Sequence, residues 1–110
     1  LEFRRVLFRS QILSQTPAVD AIFFCNDDLA QGALLAANRL GVDVPARIAV
    51  AGFNNLTGGD LMIPPLTTVA TPLARIGDEA SAMLLALMRG EAVPRPCVDV
   101  GWDVIVRGSA

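Results

Sequence analysis

At 110 residues the chain is long enough for one small domain, or for one lobe of a larger one. It carries nine Arg against eleven acidic residues and has neither Lys nor His, which excludes lysine Schiff bases, histidine triads and histidine-held metals; the net charge of -2 gives no general basic surface. Hydrophobic residues make up 53%, yet no apolar run approaches the roughly 18 residues of a membrane span.

Cys25 and Cys97 are far apart and form no CxxC, so buried reduced thiols of a cytosolic protein are expected rather than a disulfide framework or a zinc site. The chain begins at Leu1 rather than Met, which reads as a piece of a longer protein. Its first ten residues, LEFRRVLFRS, hold three of the nine Arg. Without them, six Arg face ten acidic residues, for a net of -4. The order of a signal peptide is missing from this stretch. Residues 1–10 are therefore expected to be a cloning or adapter scar, and finding them encoded in the native locus would overturn that.

Gln11 to Ser14 reads as the end of a helix broken at Thr16-Pro17. Asp20 to Cys25, with Ile22, Phe23 and Phe24, reads as a buried strand. Asn26 or Asp27 can cap the next element, because a short polar side chain accepts the free N–H groups of a first turn. Leu29, Ala33, Ala36, Ala37 and Leu40 recur at helical spacing, and Gly41 is a natural stop. After a turn at Pro45, Ile48 to Phe53 is a second apolar strand. Strand, helix and strand within about 33 residues make a βαβ unit, and hence a parallel sheet in an α/β fold.

Asn54 to Pro65 reads as a loop with room for one helical turn, and Leu66 to Thr71 as a third strand. Leu73 to Arg89 is a second helix, with Leu73, Ile76, Ala80, Met83, Leu84 and Leu87 on one stripe and Gly90 ending it. From Val98 to Arg107 apolar and other residues alternate, which predicts a strand with one buried face; Trp102 on it could stack on a sugar face, but a large side chain there is more often core.

Two turns carry the chemistry. Cys25-Asn26-Asp27-Asp28 follows one strand and Gly52-Phe53-Asn54-Asn55 follows the next. In open α/β sheets ligands bind beyond the carboxyl ends of the strands, where helix N-terminal N–H groups favour polar or anionic atoms. Asn26 offers a donor and an acceptor and Asp27 offers acceptors, a set that suits a polyol. The plainer reading makes these residues caps and turn formers only. Asp27-Asp28 also fits the acidic pair of a response-regulator receiver domain, but that class needs a later phosphoacceptor Asp and a Lys. Here the later strand ends in Asn54-Asn55, and there is no Lys. No Walker A or GxGxxG pattern occurs. No catalytic residue, metal or cofactor is assigned, and no enzyme activity is expected.

The run DAIFFCNDDLAQGALLAANRLGVDVPARIAVAGFNN, then PPLTTVATP and the closing VIVRGSA, closely resembles the lactose-repressor (LacI/GalR) family of bacterial transcription regulators. The similarity runs from about Gln11 to Ala110. It implies the C-terminal part of the effector-binding domain, a parallel-sheet lobe of a type I periplasmic-binding-protein-like fold. The family carries a helix-turn-helix headpiece that this sequence does not include. It also implies a cytoplasmic protein with no membrane partner, a homodimer at full length, and operator DNA bound through that headpiece.

By the same resemblance Asn26, Asp27 and Asn54 are effector contacts. Asn54 stands where the family commonly has Asp, a departure that removes a negative charge. With FFCNDDLA it resembles the gluconate-responsive branch, so the implied effector is a sugar or a sugar acid such as gluconate. Gln31, Leu35, Met62 and Ile63 are the implied dimer-interface positions, although Leu35 also reads as core. A periplasmic sugar-binding protein of a transport system shares the fold and remains the alternative, and the receiver domain is a remote one.

Overall fold

The computed structural model describes residues 19–110. The expected scar and the helix end at Gln11 to Ser14 lie outside them. Four strands form one sheet in the order β1-β2-β3-β4: β1 (Ala21–Phe23), β2 (Ala49–Phe53), β3 (Thr67–Ala70) and β4 (Asp103–Ile105). β1 pairs with β2 and β2 with β3, both in parallel, which gives the βαβ unit read from the sequence.

The described residues divide into two compact units. The first holds residues 19–70 and Val104–Ala110. Its helix α1 spans Asp27–Leu40. Asn26 caps it: the Asn26 side chain accepts the Leu29 N–H at 2.9 Å. Gly41 ends it in the left-handed region at φ 65°, and its N–H turns back to the carbonyls of Ala37 and Asn38.

The buried face of α1 is Ala30, Ala33, Leu34, Ala36 and Ala37, so it turns slightly from the expected stripe and leaves Leu29 and Leu40 half-buried. Ala30 and Leu34 pack against Val50 and Leu66, while Ala33, Ala36 and Ala37 meet Ile22, Phe24, Val42 and Val44. Four alanines let the helix lie close to the sheet. The large buried side chains Leu34, Ile48, Val50 and Leu66 each contribute about 1.5–3 kcal/mol by burial. A short 3-10 turn, Gly59–Leu61, occupies the loop before β3.

The tail explains why the PPLTT and VRGS motifs occur together. Ser109 is buried; its hydroxyl donates to the Val50 carbonyl at 2.6 Å and accepts the Thr67 N–H at 2.8 Å. The Arg107 N–H donates to the Thr67 hydroxyl, and the Arg107 guanidinium donates to the Leu66 carbonyl at 2.7 Å. A β-carbon on Gly108 would sit 3.2 Å from both Pro64 and Pro65.

The second unit is Thr71–Asp103. It holds helix α2, Leu73–Met88, none of whose residues is buried. The expected long strand from Val98 is not formed. The Gly101 N–H bonds back to the Asp99 carboxyl at 2.8 Å and Gly101 takes φ 74°, a local turn that competes with extended pairing. Regular strand is confined to Asp103–Ile105, and Trp102 is 68% exposed rather than core. Alternation in the sequence marks which side chains share a face, but it does not supply the layer that covers them.

Candidate functional site

The parallel register sets the site. Phe23 pairs with Ala51, so Asn26 and Asn54 each stand three residues past a paired position, on one edge of the sheet. The two turns read from the sequence are therefore neighbours. α1 starts at the first of them, directing its free N–H groups and the positive end of its dipole to that edge.

Asn26 is half-buried. Its carbonyl oxygen is used by the cap. Its NH2 group has no protein acceptor among the described residues. Asn54 is also half-buried and adopts φ 98°, while Asn55 adopts φ 50°. Two successive non-glycine residues in the left-handed region need a reason, and asparagine tolerates that region better than most. The Asn54 N–H donates to the Val69 carbonyl at 2.8 Å, and the Asn55 N–H to the Thr68 hydroxyl at 3.3 Å. The Asn55 side chain accepts from Arg107 at 2.9 Å. The turn is thus held through backbone and Asn55, and the Asn54 side chain makes no hydrogen bond among the described residues.

Asp27 differs from the sequence reading. It is 0% exposed, and both carboxyl oxygens are engaged: Oδ1 accepts the Thr68 hydroxyl at 2.6 Å and Oδ2 accepts the Leu56 N–H at 2.7 Å. Asp27, the expected effector contact, thereby ties three chain segments together from behind the surface. A β-carbon on Gly52 would overlap Asp27 Oδ1 and approach the Ala30 β-carbon to 3.2 Å, so β2 has glycine where the carboxyl passes over it. Thr68 and Gly52 were not singled out as site residues in the sequence. Their only signal was membership of the PPLTT and GF motifs.

The four expected interface residues lie on the first unit. Gln31 donates from its side chain to the Thr57 carbonyl at 3.5 Å. Leu35 is 55% exposed and is not core. Met62 is half-buried against the Ala30–Leu34–Val50–Leu66 cluster, and Ile63 is exposed. Cys25 and Cys97 are free and exposed, not buried as expected. Among the described residues no group of three His, Cys, Asp or Glu gathers to hold a metal, and no helix is long and apolar enough to cross a membrane.

Residues 3–110 match the family model described as "Periplasmic binding protein-like domain". The chain belongs to the periplasmic binding protein-like domain family. Within that family its relatives are regulators. It is 50% identical over 99 residues to the HTH-type transcriptional regulator GntR of Pseudomonas aeruginosa, covering 90% of this chain and 29% of that protein. The crystal structure of transcription regulator GntR from Chromobacterium violaceum is 42% identical, with a TM-score of 0.87 over 98% of this chain and 40% of that one. A complex of the transcriptional regulator CelR with cellobiose is 28% identical, with a TM-score of 0.88 over 99% of this chain and 33% of that one. The chain spans about three tenths of the length of the curated relatives it matches. The α/β lobe of a periplasmic binding protein-like fold and the LacI/GalR resemblance of its motifs both hold.

Proposed function

We propose that this chain is the C-terminal part of the effector-binding domain of a LacI/GalR-type DNA-binding regulator, a repressor, that senses a sugar acid such as gluconate. The observation that carries the reading is the register: it brings the Asn26 NH2 group and the Asn54 side-chain amide, neither hydrogen-bonded among the described residues, to one sheet edge beside a helix N-terminus. Asn26 and Asn54 are the effector contacts in this reading, and Asp27 supports them from the interior. The family commonly has Asp at position 54. An amide there keeps hydrogen bonding to sugar hydroxyls without repelling a carboxylate, as a like charge would.

Effector bridging two lobes biases a two-state equilibrium by its differential affinity for the states. The regulator acts as a cytoplasmic homodimer without enzymatic activity, and exposed Leu35 and Ile63, with Gln31 and Met62, contribute to the subunit interface. DNA contacts come from a headpiece outside residues 11–110, which correspond to the C-terminal part of the sensor. The regulators among its relatives favour this reading over the transport alternative.

A gel-shift titration of the full-length protein on DNA upstream of its own reading frame is the test. The expected result is retardation that gluconate weakens by about tenfold or more. No retardation on such DNA, together with export of the protein, would support a transport component instead.

A further inference from the structure

We propose that Asp27 and Thr68 form a positioning pair whose buried hydrogen bond sets the placement of Asn54 relative to Asn26. The inference deepens the effector-site reading and rests on it for the identity of the ligand contacts. Asp27 follows Asn26 directly, so wherever its carboxyl is anchored, the cap residue is anchored with it. The carboxyl passes over Gly52 of β2 and reaches Thr68 of β3 at 2.6 Å, linking the first polar turn to β3 across β2. The same Thr68 oxygen accepts the Asn55 N–H, and the next residue, Val69, accepts the Asn54 N–H.

Asp27 Oδ2 takes the Leu56 N–H, on the far side of the Asn54-Asn55 turn. The turn is therefore gripped at three successive residues by one buried pair and its strand neighbour. A threonine hydroxyl suits this position because it donates and accepts at once. Donation to Asp27 at 2.6 Å prevails over the alternative, the Val69 carbonyl at 3.4 Å. The left-handed φ values of Asn54 and Asn55 persist because these bonds define them.

The neighbouring motif threonine provides an internal control. Thr67 is buried to a similar degree, but its hydroxyl accepts the Arg107 N–H and donates to the Ala110 carbonyl, and it makes no hydrogen bond to the turn itself.

The test uses the full-length protein as wild type and as Thr68→Val, Thr68→Ser and Thr67→Val. It reads gluconate affinity by calorimetry and backbone amide exchange by NMR or mass spectrometry. Thr68→Val keeps the shape but removes the donor. It is expected to lose about tenfold or more in gluconate affinity and to speed exchange at the Asn54 and Asn55 amides. Thr68→Ser should restore both to within about threefold of wild type. Thr67→Val should lower the melting temperature while leaving both readouts near wild type.

Unchanged exchange at Asn54 and Asn55 in Thr68→Val overturns the positioning pair. So does wild-type gluconate affinity in that variant. A wild-type protein that binds no gluconate, with the exchange pattern as expected, overturns the ligand reading and supports the pair.

Discussion

The Asp27 carboxyl reaches Thr68 by crossing β2 at Gly52, and the crossing leaves no volume for a β-carbon. Glycine here is a matter of space. Its φ lies outside the left-handed region, so conformational freedom is not the issue. A methyl group at position 52 must displace the carboxyl, and it also crowds the Ala30 β-carbon. Overpacking costs about 1–3 kcal/mol, and a buried carboxyl stripped of a partner costs a similar amount. Gly52→Ala is therefore expected to destabilise the full-length protein by about 2 kcal/mol or more, read as a drop of several degrees in the thermal midpoint. The Asn26 cap was legible in the sequence because capping is local: its partner, Leu29, is three residues away. The burial of Asp27 was not. Its partner Thr68 lies 41 residues further on, and no local pattern announces such a bond.

At the scale of elements, α1 and the stretch from Val98 to Arg107 teach opposite lessons. α1 was legible because a polar cap, a helical stripe of small apolar residues and a terminal glycine all agree. Gly41 itself is open to a direct check. Among the described residues nothing lies within 4 Å of a β-carbon built there, so Gly41→Ala tests the backbone conformation. At φ 65° it is expected to cost about 1 kcal/mol in chemical unfolding, with gluconate affinity unchanged. The stretch after Val98 alternates over a comparable length, yet Asp99 and Gly101 close a turn within it. Period two was outweighed there by a single Asx-type bond and one left-handed glycine. The parallel order of β1, β2 and β3 was legible because a strand–helix–strand run of that length has few other solutions.

At the scale of the whole molecule, the first unit contains the helix-covered sheet and both asparagine turns. The second unit presents an α-helix with no buried residue and large apolar side chains such as Leu84, Leu87 and Met88 in solvent. The chain spans about three tenths of its curated relatives, so the account of effector, DNA and dimer concerns the full-length protein. In that protein we propose that the Asn26 and Asn54 edge holds a sugar acid. Calorimetric titration of the full-length protein with gluconate and with neutral hexoses, as wild type and as Asn54→Asp, tests it most directly. Wild type is expected to bind gluconate in preference to hexoses, and Asn54→Asp to weaken gluconate by about tenfold or more through like-charge repulsion. Binding of neutral hexoses without gluconate, or an Asn54→Asp variant that binds gluconate as tightly as wild type, would contradict it.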